Sequence, residues 1–74
     1  LSREFIQDAL DKLPYKFRNT LVLREIEGLS YEEISQALNI SIGTVESRIS
    51  RARKMLKKIL FLKDRPSYTI EGRV

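Results

Sequence analysis

The residues of this chain that could do chemistry are concentrated in one basic segment, residues 41–63. This segment carries seven Lys or Arg against a single acid, Glu46. Residues 1–40 carry five basic residues against seven acidic ones, and residues 64–74 carry two of each, so the net charge of +4 comes entirely from the basic segment. Such a local field favours a polyanion, either nucleic acid or an acidic membrane surface. An amphipathic helix whose charges are merely solvated is the alternative.

Composition excludes most other chemistry. The 74 residues include no Cys and no His. Disulfides, thiolate chemistry, the usual zinc sites and a His general base are therefore excluded. Carboxylates and hydroxyls are present, but no pattern pairs a nucleophile with a base. We expect one small non-enzymatic domain that uses neither a metal nor another cofactor.

Apolar and polar residues separate within the basic segment as they would on a helix. At about 100° per residue, one line of this helix is apolar, and the opposite line carries small residues followed by lysines. The apolar line consists of Val45, Ile49, Ala52 and Leu56, and the opposite line consists of Gly43, Ser47, Ser50, Lys54 and Lys58. Small residues let a helix approach base edges, and long cations reach phosphates. The pattern favours a helix in a major groove over one on a membrane, because the apolar line is needed to close the core.

Two shorter helices are predicted in the first part of the chain. Ser2 is placed to cap the first helix, and Pro14 ends it and can open the second. The second helix is predicted over residues 15–27, with Gly28 as its left-handed stop. Its predicted apolar stripe is Phe17, Leu21, Val22 and Ile26, and the aromatic residues predicted to be core are Phe5, Tyr15, Phe17 and Tyr31.

The third predicted helix positions the fourth helix, which contains the basic segment. Ser30 and Glu33 form a capping box that starts it, and Asn39 tolerates the left-handed conformation at its end. Its predicted inward residues are Ile34, Ala37 and Leu38. Ser41 then caps the fourth helix, with Ile40 packing on Val45. Two helices with a short turn, the second of them basic, form a helix-turn-helix. The predicted fold is all-α: a four-helix domain over residues 1–62 that ends in a helix-turn-helix with a long basic recognition helix.

Four stretches of the sequence together resemble a known family. They are Leu13-Pro14 with Phe17-Arg18, then residues 29–34 (LSYEEI), 40–48 (ISIGTVESR) and 51–53 (RAR). In this order they resemble region 4 of a bacterial sigma factor, most closely the extracytoplasmic-function type, over about residues 3–60. The output domain of a response regulator has a similar helix-turn-helix, but it fits the Leu-Pro lead-in and the Arg-Ala-Arg run less well.

The resemblance implies a cytoplasmic bacterial domain that binds the promoter −35 element as double-stranded DNA and positions RNA polymerase there. By position, it implies contacts to bases from Glu46, Ser47, Ser50 and Arg51. It implies contacts to phosphates from Thr44, Arg48, Arg53 and Lys54. The family also meets the flap element of core RNA polymerase and is often masked by an anti-sigma factor. No membrane insertion is implied.

Glu46 departs from the family, whose members usually carry Lys or Arg there. An acid in a DNA groove suits the N4 donor of cytosine. Glu46 could instead pair with Arg53 or Ser50 along the helix. Two further alternatives stay open from the residues alone: Arg48 could pair with an acid such as Glu33 instead of a phosphate, and Arg51 could contact a phosphate instead of guanine.

The two ends of the chain carry less information. The apolar run at residues 59–62 could close the core or bind a partner protein. Residues 63–74 lack periodicity, are predicted to be a flexible tail, and contain Ile70-Glu71-Gly72-Arg73, a protease cleavage sequence common in engineered proteins. The chain begins at Leu1 instead of Met, so we expect a piece of a longer protein. A helical module that binds only protein remains the alternative from another functional class.

Overall fold

A computed structural model of the chain describes residues 3–64 as four α-helices. They are α1 (Arg3–Asp11), α2 (Tyr15–Glu25), α3 (Tyr31–Leu38) and α4 (Ile42–Asp64). No strand occurs in this range, and the predicted all-α fold class is confirmed. Residues 1–2 and 65–74, and with them the predicted Ser2 cap and the protease-like sequence, lie outside the described residues. Because α4 continues to Asp64, the helix extends two residues beyond the predicted domain end.

The turns form as the local sequence predicts. Ser30 accepts a hydrogen bond from the Glu33 amide at 3.0 Å, and the Glu33 carboxylate accepts from the Ser30 amide at 2.7 Å, which completes the capping box. Gly28 and Asn39 have positive φ values of 74° and 57°, as expected of left-handed helix stops. The chain therefore enters and leaves α3 through two turns whose backbone geometry is fixed locally.

The core consists of two apolar clusters that α4 joins. One lies against the second half of α4 and is formed by Leu10, Leu13, Phe17, Leu21 and Ala52. The other lies against its first half and is formed by Ile34, Val45 and Ile49. Leu56 packs on the former cluster, so the whole predicted apolar line of α4 faces inward. The opposite line is left in solvent.

Three residues predicted to face inward do not. Ile26 is 56% exposed because α2 ends at Glu25, two residues earlier than predicted, and Ile26 forms the C-cap. Tyr15 is 68% exposed because it precedes the buried Phe17 by two residues, which places it on the opposite side of α2. Ala37 is exposed because Ile34 and Leu38, four residues apart, already supply the inward line of the short α3.

Candidate nucleic-acid interface

The helix-turn-helix consists of α3, α4 and the turn between them, and hydrogen bonds fix that turn. The Ser35 hydroxyl donates to the carbonyl of Ile40, whose amide donates back to the Ser35 carbonyl at 3.1 Å. Ser41 accepts from the Thr44 amide at 3.1 Å and so caps α4 as predicted. The Ser41 and Thr44 hydroxyls also bond to each other at 2.9 Å. The first turn of α4 is thus held in place relative to α3.

The turn between α2 and α3 is braced by Arg24. Its guanidinium donates to the Leu29 carbonyl at 2.9 Å and lies 5.0 Å from the centre of the Tyr31 ring, a cation–π distance. Leu29 and Tyr31 both pack on the cluster that holds the first half of α4. This bracing connects the end of α2 to the helix-turn-helix, and nothing in the sequence pattern had indicated it.

We define the recognition face as the exposed line of α4 formed by Gly43, Ser47, Ser50, Lys54 and Lys58. All five residues are exposed, and the core line lies on the opposite side of the helix. A methyl group added at Gly43 would meet only the Ser41 hydroxyl, at 3.9 Å. The fold itself therefore does not need glycine here, and the small residue keeps open the space outside the helix.

The predicted base-contacting residues lie together on and beside this face. Glu46, Ser47, Ser50 and Arg51 are all exposed within two turns of α4. Within residues 3–64, none of these side chains makes a hydrogen bond or ion pair that would occupy it. In the described structure Glu46 bonds to neither Arg53 nor Ser50, and Arg53 bonds to a residue of α2 instead. These four side chains are therefore available to a ligand.

The four predicted phosphate-contacting residues differ in their surroundings. Lys54 is exposed on the recognition face, whereas Thr44 and Arg48 are half-buried at its edge. Arg48 forms no ion pair with Glu33 in the described structure, where the Glu33 carboxylate accepts from the Ser30 amide instead. Arg53 is the exception, since its guanidinium already binds a carboxylate.

Arg53 is paired with Glu25 of α2. Its Nε donates to Glu25 Oε2 at 3.0 Å, and its Nη2 donates to the same oxygen. The hydrogen bonds that Arg53 donates to the Glu25 carboxylate are the main cause that raises the pKa of Arg53 above its ordinary value. A phosphate contact by Arg53 would require this pair to open. The sequence could not indicate Glu25, because the two residues are 28 positions apart.

Two concavities flank the Glu25–Arg53 pair. A polar depression of about 330 Å³ beside the recognition face brings together four of the predicted residues, Glu46, Ser50, Arg53 and Lys54. An apolar groove of about 410 Å³ lies between α1, α2 and α4, where Ile6, Val22 and Leu60 are among its lining residues. Arg53 and Lys57 border both. One surface thus suits a charged ligand and the other an apolar partner.

The apolar run at the end of α4 divides between core and surface. Ile59 packs on the core cluster, and Leu60 lines the apolar groove. Phe61 and Leu62 are 60% and 56% exposed. In the described part of the chain, no helix combines the length and apolar character that crossing a bilayer requires. Nor do residues 3–64 contain an acidic cluster that could hold a metal ion.

Residues 3–56 match the family model described as sigma-70, region 4. The match covers most of the chain and includes α3, the turn and the first two-thirds of α4. The chain belongs to the sigma-70 region 4 family. The resemblance predicted from the sequence motifs is thereby confirmed, and the response-regulator alternative loses its support.

Three curated relatives of this region 4 domain are named as ECF RNA polymerase sigma factors. This chain is 54% identical over 55 residues to the ECF RNA polymerase sigma factor SigE of Mycolicibacterium smegmatis. The aligned residues cover 74% of this chain and 21% of that protein. The chain is 49% identical over 55 residues to SigW of Bacillus subtilis, covering 74% and 29%. It is 43% identical over 54 residues to the sigma-E factor of Escherichia coli K12, covering 73% and 28%. The chain thus spans less than a third of the length of these relatives.

Proposed function

We propose that this region 4 domain binds the promoter −35 element as duplex DNA and, within a sigma factor, positions RNA polymerase there to initiate transcription. The observation that carries the proposal is the recognition face of α4. It is exposed, small at its N-terminal end and cationic further along, and it stands on a helix-turn-helix. The domain acts by binding in the bacterial cytoplasm and catalyses no reaction.

The residues proposed to read bases are Glu46, Ser47, Ser50 and Arg51. Arg51 offers the bidentate donor pair that suits guanine O6 and N7, and Glu46 offers an acceptor for cytosine N4. The two serines are short enough to bring the helix backbone near the base edges. All four side chains are exposed and unoccupied within the described residues, so reading a base would not require any intramolecular bond to break.

The residues proposed to bind phosphates are Thr44, Arg48 and Lys54. Lys54 lies on the recognition face, and the other two lie at its edge near the start of α4. Contacts of this kind set register on the duplex and supply most of the affinity, but they carry no sequence information. Arg53 is not included, because its guanidinium binds Glu25.

A protein partner is proposed for the apolar groove and the exposed end of α4. Ile26, Phe61 and Leu62 are large apolar side chains that are more than half exposed. Exposed apolar residues beside a groove favour contact with another protein. We assign this surface to core RNA polymerase through its flap element, and an anti-sigma factor that covered it would keep the domain from the enzyme.

The proposal is tested by selection from a random duplex pool, with the chain tethered to core RNA polymerase. We expect one sequence family to be enriched. If the remaining cations of α4, about five without Arg51 and Arg53, engage phosphates, log K for the selected duplex should fall with log salt at a slope of about −4.5. Lys54→Gln should make this slope shallower by about 0.9, whereas Lys12→Gln, at an exposed position in the turn after α1, should leave it unchanged.

Two outcomes would contradict the proposal. Binding that does not depend on salt would show that phosphate neutralisation contributes nothing. Absence of any enriched sequence would favour the other functional class, a helical module that binds only protein. In that case, substitutions in the apolar groove should weaken polymerase binding while substitutions on the recognition face have no effect.

A further inference from the structure

The Glu25–Arg53 pair joins two helices that are distant in sequence. Both donors of Arg53 converge on a single carboxylate oxygen of Glu25. The side chains are 52% and 48% exposed, so the pair is reachable by solvent but is not required to close the core. An exposed pair of this kind contributes little to stability. Its geometry, in contrast, restricts how α4 can lie on α2.

Arg53 is turned toward α2, where its guanidinium is bound by Glu25. At 100° per residue, it lies about 100° around the helix from the centre of the recognition face. It projects toward α2 and borders the polar depression beside Tyr31 and Lys57. The Glu25 carboxylate also neutralises its charge locally. A guanidinium held in this way attracts a phosphate less than the free Lys54 does.

The apolar packing around the pair does not by itself fix the rotation of α4 about its own axis. Ala52, next to Arg53, is fully buried in the cluster formed mainly by α1 and α2. Apolar burial is non-directional, so packing at Ala52 tolerates small rotations of α4 about its own axis. Two hydrogen bonds from the adjacent residue to α2 are more sensitive to such rotations, because hydrogen bonds weaken steeply with angle.

We infer that Arg53 is a positioning residue, and that with Glu25 it sets the rotation and crossing angle of α4 on α2 instead of contacting a phosphate. The inference rests on the proposed function, because it assigns to the pair the orientation of the recognition face toward base edges. Base reading depends on directional hydrogen bonds, whereas phosphate binding is largely electrostatic and independent of sequence. Loss of the pair therefore lowers sequence discrimination more than it lowers overall affinity.

The test compares the 74-residue chain with Glu25→Gln, Arg53→Gln and the double variant. Affinity is measured for the selected duplex and for a scrambled duplex of equal composition. We expect the ratio of the two affinities to fall about threefold to fivefold in each single variant, the range that one exposed pair supports. The double variant should lose no more than either single variant, because both changes remove the same interaction.

The salt slope separates positioning from phosphate contact. The double variant removes one positive and one negative charge, so the net charge of the chain stays at +4. We expect its slope to equal that of the unaltered chain, whereas Lys54→Gln, the matched control one residue along α4, should make the slope shallower by about 0.9. A slope that is about 0.9 shallower in the double variant would identify Arg53 as a phosphate contact and overturn the inference.

A measurement without DNA keeps this inference distinct from the proposed function. Residual dipolar couplings of the 74-residue chain report the orientation of α4 relative to α2. We expect the same change in orientation in both single variants, and none in Lys54→Gln. Unchanged couplings, or an unchanged affinity ratio, would show that the pair positions nothing. If the chain selects no DNA sequence at all, the proposed function fails, and the couplings alone still decide the role of the pair.

Discussion

Glu46 is the residue whose chemistry is least expected on this surface. It is the one acid in residues 41–63, it is exposed, and it borders the polar depression beside Ser50 and Lys54. Arg53, its most obvious intrahelical partner, is occupied by Glu25. An acid on this surface repels phosphates, and the proposed contact to the N4 donor of cytosine would offset that repulsion.

We therefore expect Glu46→Lys to change base preference as well as affinity. Preference for cytosine at one position of the selected duplex should fall, because discrimination by one good contact is worth about 1–3 kcal/mol. Binding to all duplexes should strengthen, and the salt slope should steepen by about 0.9 if the new lysine reaches a phosphate. Sequence selection and a salt titration measure both effects. Glu4→Lys on α1 adds the same charge away from the recognition face and is the control.

The base-reading role of Glu46 would be wrong under one specific result. That result is stronger binding to every sequence by the same factor, with the same enriched sequence family as the unaltered chain. Glu46 would then act only through its charge, as a residue that moderates non-specific attraction.

Gly43 allows stability and DNA binding to be separated at one position. A methyl group there meets nothing closer than 3.9 Å within the protein. Gly43→Ala should therefore raise the free energy of unfolding, by up to about 1 kcal/mol, because glycine is a poor helix former. The same methyl group would occupy the space outside the helix and should weaken binding to the selected duplex. Urea unfolding and duplex titration measure the two effects, and a variant that is more stable with unchanged DNA affinity would contradict close approach at Gly43.

At the scale of the elements, α3 depends on its capping box more than on its length. It has eight residues and one fully buried side chain, Ile34. Helices this short are marginal in isolation, so their ends and their packing must hold them. Because α3 and its two turns position the start of α4, loss of the capping box at Ser30 should also disturb the position of the recognition face.

We expect Ser30→Ala to lower the free energy of unfolding by about 1 kcal/mol, since it leaves the Glu33 amide without its acceptor. The measurement is urea unfolding followed by circular dichroism. Ser47→Ala is the matched control, because Ser47 is exposed in the interior of α4, where the change should stay within about 0.5 kcal/mol. Equal losses in the two variants would mean that the capping box contributes nothing at Ser30.

At the scale of the whole molecule, the absence of His determines the response to pH. The 74 residues contain none, and His is the side chain that ordinarily changes charge near neutrality. The pKa of Arg53 is raised by its hydrogen bond with Glu25, so any stability linked to that group is present below its ordinary pKa. That contribution is lost only as pH rises through the raised pKa, far above neutrality.

We therefore expect DNA affinity and the free energy of unfolding to stay constant between about pH 5.5 and 7, because His, whose ordinary pKa lies in that window, does not occur in this chain. Parallel titrations and urea curves at fixed ionic strength provide the measurement. A change of more than twofold in affinity would reveal a titrating carboxylate in the complex. In that case Glu46→Gln should abolish the change, whereas Glu4→Gln should not.

Local sequence signals predicted most of the elements correctly. The Ser30–Glu33 capping box, the left-handed Gly28 and Asn39, and the Ser41 cap all depend on atoms within a few residues of one another. The apolar line of α4 was also predicted, because 3.6-residue periodicity reports which side of a helix must be buried. The errors at Tyr15, Ile26 and Ala37 arose where a helix is short or ends, so that periodicity alone does not fix the buried side.

The sequence alone determined that this chain is a helical domain with a cationic, small-residue face on its last helix. Those properties follow from residue order along the chain. Only the tertiary structure showed that Arg53 forms an ion pair with Glu25. It alone also showed that Arg53 and Lys57 border both the apolar groove and the polar depression. The physical reason is that Glu25 and Arg53 are 28 positions apart in the chain. Whether they meet depends on how α2 packs on α4, and no residue pattern within one helix predicts that.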